Sequence, residues 1–419
     1  MLPENWLYLI IGIVFLDYLV DQILDFLNVK HSKNKVPVAL SDIYDPDEYA
    51  RSQEYQKTKS RFGFITSAFS MILTLMLLSF GGFGILDEFL RNYIEDPVLL
   101  SLLFFGSLFI LSDIVNTPFA YYSTFVIEER FGFNKTTIKT FIGDKLKGYL
   151  LTIIIGGILG YALLWIVHQL GENFWIYAFT LVSAFILIMN LFYTSLILPL
   201  FNKLKPLEDG GLKDKILSYA KGVDFPLENI FVIDGSKRST KANAFFSGIG
   251  RKKKIVLYDT LIEKHTEEEL VAVLAHEVGH FKKKHIVLSL FLSILQMGVT
   301  FYILSLFVFS ENLSLALGGD QMSVHLNFIA FGLLYTPISR LTGLAMNALS
   351  RKNEFEADEF AVTTYEGKPL MDALKKLSVS SLSNLTPHPA YVFAHYSHPP
   401  LLERLTAMEA ISTQEDNEV

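Results

Sequence analysis

The sequence predicts a mainly α-helical, polytopic membrane protein with seven transmembrane helices and a metal-dependent catalytic region on one side of the bilayer. Three observations lead there. Of the 419 residues, 51% are hydrophobic and only 19% are charged, against about a quarter charged in soluble chains. Seven apolar stretches are long enough to cross a bilayer, which takes about 20 helical residues: 6–27, 62–86, 97–120, 149–167, 174–201, 286–310 and 326–348. The sixth is entered straight from VLAHEVGHFKKKHIVL (273–288), whose histidines and glutamate have the spacing of a metal site.

The N-terminal MLPENWLYLIIG has no basic n-region and no small-residue cleavage site, so it reads as a retained span. Asp17, Asp21 and Asp25 recur every four residues in that span and share one helix face. Lipid penalises such a face. Two readings stay open: a helix end turned toward neighbouring helices near the interface, or a stripe lining a water-filled cavity.

The loops test the span count. Lysine and arginine are frequent after spans one, three and five, whereas the loops after spans two, four and six hold only Arg91 between them. By the positive-inside rule the loop 202–285 and the tail 349–419 are cytoplasmic. The chain thus divides into a membrane region (1–201), a cytoplasmic catalytic loop (202–285), a membrane hairpin (286–348) and a cytoplasmic helical tail (349–419). A net charge of −7 argues against a nucleic-acid partner, and zero cysteines exclude disulfides and thiolate ligands. Any metal is therefore held by His, Asp or Glu.

Within the loop, 212–222 has helical character. NIFVID (229–234), NAFFSG (243–248) and KIVLYD (254–259) read as short strands, with a turn formed by Gly248, Gly250 and the basic run 251–254. Thr266 and Glu269 form a capping box that starts the next helix. On that helix His276 and His280 lie one turn apart on one face, able to reach one zinc at about 2.0–2.1 Å, and Glu277 can address a water at its open position. The plainer reading, a polar face of an ordinary helix, would leave two imidazoles without partners among Val273, Leu274, Ala275 and Val278, which is costly.

His285, five residues past His280, has the wrong spacing for a third ligand and reads as an interfacial residue. A glutamate from a second helix would complete a His2Glu site. SRKNEFEADEFAV (350–362) follows span seven and offers Glu354 with Asp358 on one face, while Glu356 and Glu359 compete.

HEVGH, the span after it and RKNEFEAD together resemble the type I CAAX prenyl proteases, as do FVIEERFGFNK (125–135), LPLFNKLKPLEDG (198–210), DFPLENIFVIDGSKRSTKANAFFSG (224–248), IVLYDTLI (255–262) and HYSHPPLLERL (395–405). The resemblance spans nearly the whole chain. It implies a zincin-like (gluzincin) catalytic domain holding one Zn2+ on His276, His280 and Glu354, with Glu277 as general base and Asp358 as the acid behind the ligands. It makes Asn243 and Ala244 an edge-strand element that pairs with an extended substrate backbone. It brings His398 and Arg404, with His395 as a second candidate, near the oxyanion of the tetrahedral intermediate. The implied reaction removes a C-terminal tripeptide from prenylated proteins at the lipid bilayer. His325 and His388 read as surface or interface residues.

Two features depart from some eukaryotic members: Lys241 stands where a His is often found, and the tail ends in EDNEV instead of a basic retention signal. With the lack of cysteine and the compact loops they point to a bacterial inner membrane, or to the endoplasmic reticulum for a eukaryotic source. Rival functions are a general membrane-protein quality-control protease and a transporter or channel with structural zinc. A structural site is closed by four ligands and has no use for Glu277.

Overall fold

The computed structural model describes residues 1–32, 36–41, 45–247 and 253–418. The turn expected around Gly248 and Gly250 lies mostly outside them. Among the described residues, five helices are long and apolar enough to cross a membrane: Pro3–His31, Pro46–Ser79, Pro97–Glu128, Ile138–Phe201 and His285–Ser305. Val324–Leu334 and Thr336–Thr364 make a sixth if taken as one span bent by 51°. The count is thus five to six rather than a clear seven. Two expected spans, 149–167 and 174–201, fall within one 64-residue run, which is interrupted by a 3₁₀ turn at Gly171–Asn173. Gly171 has φ of +53° there. The bend at Tyr335 has its cause in Pro337, which lacks an N–H and disfavours helix just before it.

Two of the three acids on the face of the first helix, Asp17 and Asp21, turn toward a neighbouring helix. Arg340 of Thr336–Thr364 lies 2.6 Å from Asp17 and 2.9 Å from Asp21. The three also line a cavity of about 410 Å³.

The sheet has the order β1 (Leu204–Pro206), β2 (Leu227–Ile233), β4 (Lys253–Tyr258), β3 (Ala244–Ser247). β2 and β4 are parallel, with Ile230 opposite Ile255 and Val232 opposite Leu257, and the outer pairs are antiparallel. The three expected strands are present; β1, only three residues long, carried no period to read. β3 is an edge.

The motif helix Glu267–Lys282 begins at the complete Thr266/Glu269 capping box. Its apolar face, including Leu270, Val271, Leu274, Ala275 and Val278, packs into the largest core with Ile216 and Ala220 of Gly211–Gly222, Ile255 and Leu257 of β4, and Ala361 and Val362. Its closest approach is to Thr336–Thr364, where a Cβ on Gly279 would lie 3.0 Å from Ala357 Cα.

A second polar cluster lies beyond the far end of His285–Ser305, a helix about 30 Å long. Asp87 Oδ1 is 2.7 Å from His325 Nε2, and His325 Nδ1 is 3.0 Å from Ser101 Oγ. Asp87 Oδ2 accepts from Arg91 and from Ser323. His325 is therefore an interface residue, fully buried. His388 caps Pro389–His395, its Nδ1 accepting from Ala390 N–H.

Candidate metal centre

The crossing at Gly279 and Ala357 brings the HEVGH turn against the second acidic motif. His276 Nε2 lies 3.2 Å from His280 Nε2 and 3.4 Å from Glu354 Oε2, and His280 Nε2 lies 3.3 Å from Glu354 Oε1. A tetrahedral zinc with bonds near 2.0–2.2 Å separates its ligand atoms by about 3.3–3.5 Å. The three side chains therefore fit the ion. They are the group of three potential ligands found among the described residues. Glu354 is 4% exposed and its Oε2 makes no hydrogen bond, although Arg404 Nη1 is 3.4 Å away. An oxygen left so in a buried site is expensive unless a cation takes it.

The remaining nitrogens fix the ring orientations. His276 Nδ1 lies 2.8 Å from Asp358 Oδ1, an ionised acceptor, which holds a proton on Nδ1 and reserves Nε2 for the metal. Asp358 is in turn clamped by Arg404, whose Nε donates at 2.8 Å to one oxygen and Nη2 at 2.6 Å to the other. His280 Nδ1 lies 3.1 Å from His285 Nδ1, and His285 Nε2 lies 3.0 Å from Glu356 Oε2. A proton on His285 Nε2 serves Glu356, so His285 Nδ1 accepts from His280 Nδ1–H, and His280 Nε2 is likewise turned to the metal position. Both relays aim a ring Nε2 at the same point.

Burial alone would lower the pKa of His276, but the carboxylates of Asp358 and Glu354 outweigh it and push it up to about 9. The surroundings favour positive charge at that ring. Burial raises the pKa of Glu277 above the usual carboxylate range, against the pull of His276, His280 and Arg404. Glu277 lines a cavity of about 160 Å³ together with His276, Glu354, Asn243, Ala244, His398 and Arg404.

His398 Nε2 stands 3.3 Å from Glu354 Oε1. Asn243 C=O accepts from Tyr258 N–H, so by strand alternation the backbone groups of Ala244 face the open side of β3. Asn243 Oδ1 accepts from Ala244 N–H at 2.9 Å. Of the competing acids, Glu356 is engaged by His285 and Glu359 is exposed. His395 is not on this wall: it sits 3.8 Å from Asp21. The sequence reading missed the part played by His285 and Glu356. Its only trace was a histidine at each end of FKKK.

Two family descriptions match consecutive parts of the chain: "CAAX prenyl protease N-terminal, five membrane helices" over residues 25–203, and "Peptidase family M48" over residues 206–412. The CAAX prenyl protease 1 homolog of Arabidopsis thaliana is 36% identical over 423 residues, covering 97% of this chain and 98% of that protein. CAAX prenyl protease 1 of Saccharomyces cerevisiae is 36% identical, covering 93% and 91%, and the Homo sapiens homolog is 32% identical, covering 90% and 89%. The crystal structure of S. mikatae Ste24p superposes with a TM-score of 0.92 at 33% identity, covering 96% of this chain and 99% of that one. These relatives are plant, fungal and animal proteins and lend the expected bacterial source no support.

Proposed function

Because the chain belongs to the family of CAAX prenyl proteases and M48 peptidases, we propose that it cleaves short C-terminal segments from prenylated proteins at the membrane. It is a zinc-dependent, membrane-embedded metalloendopeptidase of that family. The observation that carries the site reading is the convergence of the Nε2 atoms of His276 and His280, 3.2 Å apart, on the two oxygens of the buried Glu354 carboxylate, at 3.4 and 3.3 Å.

His276, His280 and Glu354 would hold the ion. When bound, zinc polarises a carbonyl and lowers the pKa of water to about 7. Glu277 then receives the proton of the attacking water at its carboxylate and returns it to the departing amine nitrogen, a task that its raised pKa suits. Asp358 and Arg404 keep His276 in the tautomer that serves the site. His398 and Arg404 are the donors on the cavity wall able to steady negative charge on the carbonyl oxygen. His395 lies next to Asp21 on one side and, on the other, lines a neighbouring cavity that also reaches His398 and Arg404. The exposed edge at Asn243 and Ala244 suits backbone pairing with any peptide.

Counting the run Ile138–Phe201 as two crossings broken at Gly171–Asn173, and the bent pair as one, gives seven spans. That count agrees with the alternation of basic loops, puts the catalytic side in the cytoplasm and supports the four-part division 1–201, 202–285, 286–348 and 349–419. The eukaryotic relatives favour the endoplasmic reticulum membrane.

Glu277→Gln tests the assignment. Zinc content should stay at one per chain while turnover of a peptide falls about 10²–10⁴-fold. Full activity would sink it. A prenylated peptide and its unprenylated twin, compared on the wild type, separate a dedicated processor from a quality-control protease.

A further inference from the structure

A second cavity, about 570 Å³, opens beside the metal centre and shares His398, Arg404, Leu374 and Leu377 with the smaller one. Its wall carries Lys59, Lys241 and Arg404 with two histidines, and no carboxylate. Arg404 is committed to Asp358. Lys241 is committed too: its Nζ lies 2.9 Å from Glu128 Oε2 and 2.9 Å from Tyr55 OH, and 4.3 Å from the Phe133 ring centre. Lys59 also stands over the Tyr55 ring, 5.3 Å from its centre, and feels the Glu128 carboxylate only at a distance, with no ion pair among the described residues. The cavity therefore presents a cation with no direct partner beside a fixed one. An anion completes it.

The direction of a bound peptide says which anion. A strand adding antiparallel to β3, the commoner pairing, runs its C-terminal half back past Ala242 toward Lys241, about 7 Å before Asn243. The part of the substrate that leaves after cleavage thus enters this cavity. We propose that the cavity is a subsite for the free α-carboxylate at the C-terminus of the substrate, with Lys59 as its pairing cation and Lys241 held beside it by Glu128. The subsite deepens the proposed peptidase function and rests on it.

The test compares three peptides of one sequence on the zinc-loaded full-length enzyme: the free acid, the C-terminal amide, and an amide with Asp as its last residue. The wild type should cleave the free acid with a kcat/KM about tenfold or more above the amide. Lys59→Gln should bring that ratio close to one, and Lys59→Glu below one, a change of ratio that mere destabilisation would not produce. Equal cleavage of acid and amide by the wild type, or a ratio that survives both substitutions, overturns the subsite and leaves the peptidase reading intact. Rescue of the amide by its aspartate assigns the anion to a side chain and overturns the terminal-carboxylate assignment. Cleavage of none of the three overturns the peptidase reading, and the subsite with it.

Discussion

Two buried histidine–carboxylate clusters sit at opposite ends of His285–Ser305, and they solve the same problem differently. Within the His325 cluster the facing groups are all partnered: both ring nitrogens, both oxygens of Asp87, and Ser101, whose hydroxyl also reaches Pro97 C=O at 2.9 Å. The order Ser101, His325, Asp87 even has the form of a nucleophilic triad. Ser101, however, is 1% exposed, so no substrate carbonyl can approach it. Around His276 the outer nitrogens are satisfied and the inner atoms are left facing one another. Burial and residue type are common to both clusters. What marks the functional one is a set of unsatisfied atoms converging on one point.

The sharpest way to break the comparison is to remove a group from each side. Glu354→Ala should take zinc from one per chain to near none, with loss of activity to match, since a two-histidine remnant holds zinc weakly; metal analysis of the purified protein decides it. Unchanged zinc would return Glu356 or Glu359 to the ligand set. Asp87→Ala should leave zinc content alone in the folded protein yet cost about 3–5 kcal/mol of stability, because Arg91 and His325 lose a buried counterion. Thermal unfolding in detergent reads that cost. A variant of Asp87 that loses zinc without losing stability would show the two clusters to be coupled.

How much of this the sequence carried depends on whether a feature is local. The capping box, the four-residue step from His276 to His280 and the step from Glu354 to Asp358 are periodic within single helices, and all three have the geometry that the period predicts. The polarity of the loops carried the expected topology, while the bend at Tyr335 and the break at Gly171 blurred the count of spans. Gly279 and Ala357 were in plain view, but their use, letting two helix backbones touch, belongs to the packing. The Asp87 and His325 cluster joins residues more than 200 positions apart and left no local sign.

His285 shows most clearly where helical spacing fails. Read along a continuous helix, it points away from the site. The chain leaves the helix at Lys284, whose φ is +61°, and a new helix starts at His285. That single left-handed residue, with no glycine to announce it, turns the ring back onto His280. The resulting relay predicts the smallest effects of the set. His285→Phe removes the acceptor for His280 Nδ1–H and should weaken zinc affinity about 10–100-fold, measured by competition with a chelator. Glu356→Gln keeps an acceptor for His285 and should cost less than about tenfold by the same measure. Zinc affinity unaltered by His285→Phe would mean that His280 needs no orienting partner. The metal centre would then rest on the Asp358 and Arg404 side alone, and would resemble the fully matched cluster around His325 less than the two relays now suggest.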